Sequence, residues 1–192
     1  MTQAITSADT TRNNLLLVAA GGLVSGILTT WLPALVDNIL GTNGRFPLVQ
    51  FRLALIALPF AVLVFVVIGR FSRNPSWAAL IAAIVTMIAF VCAVDAAILV
   101  EGNTGDAPRA MRYLLAGLTG GMVGTAVMAL GIGLLPAGPR QPAAWWPMLI
   151  SGALVGTLLA LDDALGLDKI SLLYPLWQAV IAVRLALILR RS

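Results

Sequence analysis

Long apolar runs separated by short polar breaks dominate this chain. Six runs stand out, at 15–36, 53–69, 77–100, 113–135, 143–161 and 170–189. About 20 apolar residues in a helix cross the hydrocarbon of a bilayer. The second run is short by itself, and residues 47–51 extend it. The breaks carry turn formers: Gly41-Thr42-Asn43-Gly44, Ser72-Arg73-Asn74-Pro75, Gly102-Asn103-Thr104-Gly105 and Pro136-Ala137-Gly138-Pro139. Connectors this short make sequential helices antiparallel neighbours. The pattern predicts an all-α integral membrane protein, a six-transmembrane-helix bundle over residues 14–192. Residues 1–13 are expected to form a flexible cytoplasmic tail. The first run follows a polar stretch containing Arg12, as a signal peptide would, but it exceeds a signal peptide's apolar region and is expected to stay as a span.

Composition agrees with that pattern. The chain is 60% hydrophobic and 10% charged, whereas soluble domains carry about 25% charged residues. Its mean hydropathy is +0.98. The net charge of +4 comes without a Lys/Arg cluster, so no nucleic-acid partner is expected. The basic residues are better read as positive-inside loops and contacts to anionic headgroups. Cys92 is the single cysteine and lies in an apolar run. It reads as a small buried hydrophobe, with no disulfide framework.

The chain has no histidine, the commonest metal ligand and general base. It also lacks a zinc-binding helix motif, Gly-x-Ser-x-Gly and a phosphate-binding Gly-x-x-x-x-Gly-Lys-Ser/Thr. The expectation is a protein that is not an enzyme, with no cofactor and no metal.

Charge is unevenly sided. In the six-span topology one side holds Arg12, Arg70, Arg73, Arg140, Arg184, Arg190 and Arg191; the other holds Arg45, Arg52, Arg109, Arg112 and Lys169. Seven cations against five favour both termini on the cytoplasmic side of the cell's inner membrane. Seven of the eight carboxylates (Asp37, Asp95, Glu101, Asp106, Asp162, Asp163 and Asp168) fall on the outer side; Asp9 is the exception.

The runs also resemble one another. Phe46-Pro47-Leu48-Val49-Gln50 opens the second, and Tyr174-Pro175-Leu176-Trp177-Gln178 opens the sixth. The runs before them carry the pairs Gly22/Gly26 and Gly152/Gly156. A two-helix hairpin is therefore a candidate parallel repeat, with the middle hairpin a weaker third copy. Each Gly-x-x-x-Gly pair, including Gly120/Gly124, places two glycines on one helix face, where backbones can approach closely. Packing within the bundle explains them better than dimerisation. Pro33 and Pro59 are expected to kink their helices.

The candidate binding residues are Asp95, Arg52, Arg112, Gln178 and Gln50. Asp95 lies five residues inside the outer end of an apolar run, and a carboxylate at depth should face the bundle, a partner or water. Arg52 and Arg112 occupy outer helix ends and are its expected partners. The competing reading makes Asp95 an ion-paired anchor of helix ends. Gln178, with Gln50 as its counterpart, offers an amide to a ligand or to a neighbouring helix. Asp162-Asp163 reads as a solvated loop in which only one carboxylate can face the bundle.

The functional expectation is a bundle that binds a membrane lipid or other hydrophobic ligand between its helices, with polar residues at the outer mouth holding its headgroup. The alternative is a small transporter or channel for a cation or small solute. The scarcity of midplane polar groups (Gln178, Thr29, Thr30, Thr86 and Thr119) favours the first, because a polar pathway needs polar lining. A role as subunit of a membrane-protein partner is a third reading; the oligomeric state is open.

Overall fold

The computed structural model describes residues 2–40, 49–167 and 171–190, with side chains described from 11–35, 50–167 and 171–190. Every regular element among them is helical: α1 (Thr2–Leu40), α2 (Val49–Ile56), α3 (Leu58–Phe71), α4 (Ser76–Asn103), α5 (Arg109–Gly133), α6 (Pro142–Gly156), α7 (Leu158–Ala164) and α8 (Leu173–Leu189). The polar stretch expected as a separate tail continues into α1 without a break.

Four stretches are long and apolar enough to cross a membrane: Thr11–Leu35, Ser76–Asn103, Arg109–Gly133 and Pro142–Ala164. The pair Gln50–Ile56 and Leu58–Phe71 makes a fifth if its 55° bend belongs to one span. The sixth expected run holds α8, whose 17 residues extend only about 26 Å, short of a hydrocarbon core of about 30 Å. The bend between α2 and α3 has a local cause. Pro59 stands in the first turn of α3; it has no N–H to donate to the carbonyl four residues back, and its ring crowds that carbonyl. The ladder resumes from Ala57, whose carbonyl accepts the Ala61 N–H at 3.0 Å. Pro33, by contrast, lies within an unbroken α1.

Sequential helices pack side by side, and α8 closes on α1, so the order α1, α3, α4, α5, α6, α8 forms a circle. The two ends are tied by different chemistry. At one end Arg109 pairs with Asp163, joining the start of α5 to α7; this is the carboxylate end. At the other, the Asn74 side chain accepts the Ala137 N–H at 2.9 Å, joining the α3–α4 and α5–α6 connectors. Here Trp145 is buried and donates its indole N–H to the Pro139 carbonyl at 2.9 Å, while Trp146 is 60% exposed, as a residue at a membrane interface would be.

Glycines set the helix spacing. A methyl added at Gly117 would overlap the Gly156 carbonyl, and one at Gly121 would overlap that of Gly152. The same holds for Gly22 against the backbone of Ala179 and Gly26 against that of Pro175. These contacts pack α5 on α6 and α1 on α8, whereas Gly120 and Gly124 of α5 face Ala93 and its neighbours on α4. Lipid chains are as apolar as side chains, so close van der Waals contact supplies the attraction between helices.

The interior is filled unevenly along the bundle. Toward the end that holds the α3–α4 and α5–α6 connectors, Val64, Ile68, Met128, Ile132, Met148, Ile181 and Leu185 are all fully buried in one cluster. Toward the carboxylate end a cavity opens instead.

Candidate functional site

The cavity has a volume of about 240 Å³ and is lined by α4, α5, the α6–α7 segment and α8. Its floor is the glycine stripe of α5, Gly117, Gly120 and Gly121; the missing side chains that let α5 approach α6 also leave this space. Ala93, Val94 and Ala97 of α4 form one wall, and Leu173, Tyr174 and Trp177 of α8 the other. Phe90 and Tyr174 pack across it with centroids 5.9 Å apart. The lining is apolar apart from Glu101, Tyr113, Tyr174, Trp177 and Gln178.

The start of α8 is positioned by a buried carboxylate. Helix α7 ends at Ala164 with Leu165 as its C-cap, and Gly166 adopts φ 63°, the left-handed conformation that glycine takes without a Cβ clash. The Gly166 and Leu167 N–H groups then donate to the carbonyls of Asp163 and Asp162 at 3.1 and 2.9 Å, closing the helix end. The chain returns so that the Asp162 carboxylate accepts the Ser171 hydroxyl at 2.6 Å and the Leu172 and Leu173 N–H groups at 3.0 and 3.3 Å. Those N–H groups belong to the first turn of α8 and lack helical acceptors. Asp162 is only 8% exposed. The reading of Asp162-Asp163 as a solvated loop therefore fails for Asp162. Its neighbour takes the other face and pairs with Arg109.

At the cavity's inner limit lies Gln178, 1% exposed. Its carbonyl oxygen accepts the Ser25 hydroxyl at 2.7 Å, and its amide donates to Thr29 Oγ1 at 2.9 Å. Gln178 thus bonds α8 to α1 while bordering the cavity, so the helix-bonding reading and the cavity reading both find it in place.

The other sequence candidates lie elsewhere. Asp95 is exposed on α4, on the same stripe as Ile84, Ile88 and Leu99, and outside the cavity lining, which its neighbour Ile98 joins. Arg112 does not reach it. In the antiparallel α4–α5 pair Gly120 faces Ala93 and Ala97, and Gly131 faces Val85. That register puts Arg112 beside the end of α4, about 12 Å along the axis from Asp95. The Arg112 Nε is buried and has no hydrogen-bond partner among the described residues. Arg52 is half-buried on α2, likewise outside the lining. Gln50 is exposed whereas Gln178 is buried, so the two amides of the matching motifs occupy unlike environments; Pro47 lies outside the described residues.

Glu101 and the two tyrosines do not stand out as site residues in the sequence. The signal available was spacing: Glu101 stands four residues after Ala97 and seven after Val94, one helix face. No group of three or more potential metal ligands occurs among the described residues. A second cavity of about 630 Å³ lies at the opposite end, bordered by the 138–144 connector, Arg140 and Arg184. Arg184 there donates from Nε to Ser151 Oγ at 3.1 Å.

Comparison with protein-family models, with curated proteins and with solved structures finds no match to this chain. The fold and composition define the class: an all-helical, multi-pass membrane bundle with four or five helices able to span the bilayer.

Proposed function

We propose that this chain is a non-enzymatic membrane protein that binds a hydrophobic ligand in the cavity between α4, α5, α6–α7 and α8. The observation that carries this reading is an apolar cavity among the helices at the carboxylate end, separated by a filled core from the cavity at the other end. A channel needs a wetted path between both faces, and Ile68, Met128, Ile132 and Ile181 occupy the interior on the opposite half. The polar mouth is made by Glu101, Tyr113 and Tyr174 in place of Asp95 and the arginines. The transporter reading retains one supporting feature, the bent α2–α3 pair, since discontinuous helices recur in transporters.

The test uses Trp177, which lines the cavity. A brominated fatty alcohol added to the detergent-purified chain should quench tryptophan fluorescence with a saturable component. Val94→Phe, which fills the cavity, should remove that component while the protein still melts cooperatively. Quenching that only rises linearly in the wild type, as micelle partitioning gives, would overturn the reading.

The proposed topology has six spans, α2–α3 and α8 each counted as one, with both termini cytoplasmic and the carboxylate end outside. The arginine distribution supports it, seven cations against five. A carboxyl-terminal fusion to a reporter active only in the cytoplasm should be active. Activity of a periplasm-dependent reporter at that position would invert the topology.

A further inference from the structure

We propose that the ligand of this cavity is a compact hydrophobic cation, an organic ammonium whose charge is met by Glu101 and whose apolar groups lie among Phe90, Tyr174 and Trp177. This rests on the reading of the cavity as a binding site and names the ligand's chemistry.

The first argument is which polar groups remain available. The Trp177 N–H already donates to the Gly152 carbonyl at 3.2 Å. Gln178 is engaged by Ser25 and Thr29. The Glu101 carboxylate has no hydrogen bond or ion pair among the described residues, and neither does the Tyr174 hydroxyl. The one formal charge in the lining is therefore negative, and no ion pair holds it among the described residues.

The second argument is the placing of the nearby cations. Arg109 is held by Asp163, with its Nε 3.1 Å from the carboxylate, and it lies over the outer Tyr113 ring at 5.7 Å. Arg112 does not line the cavity. No side-chain cation among the described residues neutralises Glu101 from within the cavity. A carboxylate beside an apolar wall gains most from a counter-charge that shares its environment. An anionic amphiphile would add repulsion there, and a neutral one would leave the carboxylate unmatched.

The third argument is shape. A cavity of about 240 Å³ is below the range of about 300–1,000 Å³ typical of drug-sized ligand sites. A two-chain lipid does not fit within it. Aromatic rings line it on three helices, α4, α5 and α8, and ring faces attract organic cations. A small quaternary or tertiary amine with alkyl or benzyl groups satisfies charge, volume and lining together.

The experiment compares benzyltrimethylammonium with neopentylbenzene, its uncharged isostere, by calorimetric titration of the full chain in a neutral detergent. The cation should bind the wild type at least tenfold more tightly than the isostere. Glu101→Gln should weaken the cation at least tenfold and leave the isostere unchanged. Asp106→Asn, which removes an exposed carboxylate from the same end, should change neither by more than about twofold. Equal affinity for the two probes, or an equal loss in Asp106→Asn and Glu101→Gln, overturns the cation assignment and leaves a cavity for neutral ligands. Binding of neither probe, together with no saturable quenching by the brominated alcohol, overturns the binding site itself.

Discussion

Gly121→Leu should cause a large loss of stability in the detergent-purified chain. A side chain at Gly121 meets the carbonyl and Cα backbone of Gly152 and Gly156, which cannot rotate aside. The helices must separate, and every contact along that seam loosens. Overpacking costs about 3 kcal/mol or slightly more, equivalent to a fall of roughly 6–12 °C in melting temperature for a chain of this size. Gly69→Leu is the control: nothing lies within 4 Å of a Cβ there, and its melting temperature should stay close to that of the wild type. If both variants melt alike, the α5–α6 seam is not set by glycine. Because Gly117 and Gly121 also floor the cavity, Gly121→Leu should weaken ligand binding as well.

The second large effect is expected at Asp162. Asp162→Ala removes the acceptor for one hydroxyl and two backbone N–H groups at the start of α8. Donors left unpaired at a part-buried site cost about 2–3 kcal/mol in total. Asp162→Asn keeps one carbonyl acceptor and should fall between Ala and wild type. Asp163→Ala should change stability far less than Asp162→Ala, because its partner Arg109 is 70% exposed and exposed ion pairs are screened. Hydrogen exchange checks the mechanism: the amides of Leu172 and Leu173 should lose protection in Asp162→Ala and keep it in Asp163→Ala. Equal melting and equal exchange in the two variants would remove Asp162 as the cap of α8.

Much of the fold was legible because the bilayer acts as a demanding solvent. Backbone groups in lipid must be satisfied within the segment, so long apolar runs become helices. The apolar runs of the sequence each contain helix in the structure, and short connectors made sequential helices neighbours. Pro59 announced a bend because a missing N–H is a local property.

The candidate site was less legible, and α4 shows why. Its exposed stripe carries Ile84, Ile88 and Leu99, and its buried residues are Ala78, Ala79, Ala82, Thr86 and Ala89. In water an apolar stripe would mark the inner face; in lipid both faces can be apolar, so polarity does not point inward. Asp95 and Glu101 are six residues apart, which sets them about 120° from each other around the helix, and of the two only Glu101 lines the cavity. Depth within the apolar run favoured Asp95; the packing of α4 on α5 through Gly120 and Gly124 turned Glu101 inward and Asp95 outward. The same holds for Gln50 and Gln178, which share a motif and differ in burial.

Run length, composition and local backbone chemistry were enough to define the solvent, the helical elements and the order of neighbours, because each of these is a property of short stretches of chain. Packing alone selected which carboxylate lines the cavity. It also made Asp162 the cap of α8 while Asp163 pairs with Arg109, and it left a filled core between the apolar cavity at the carboxylate end and the cavity at the other end. Those outcomes depend on the rotation of each helix about its axis. That rotation is set by contacts between residues distant in sequence, such as Gly121 with Gly152 and Gly22 with Ala179, and apolar periodicity in a lipid environment does not encode it.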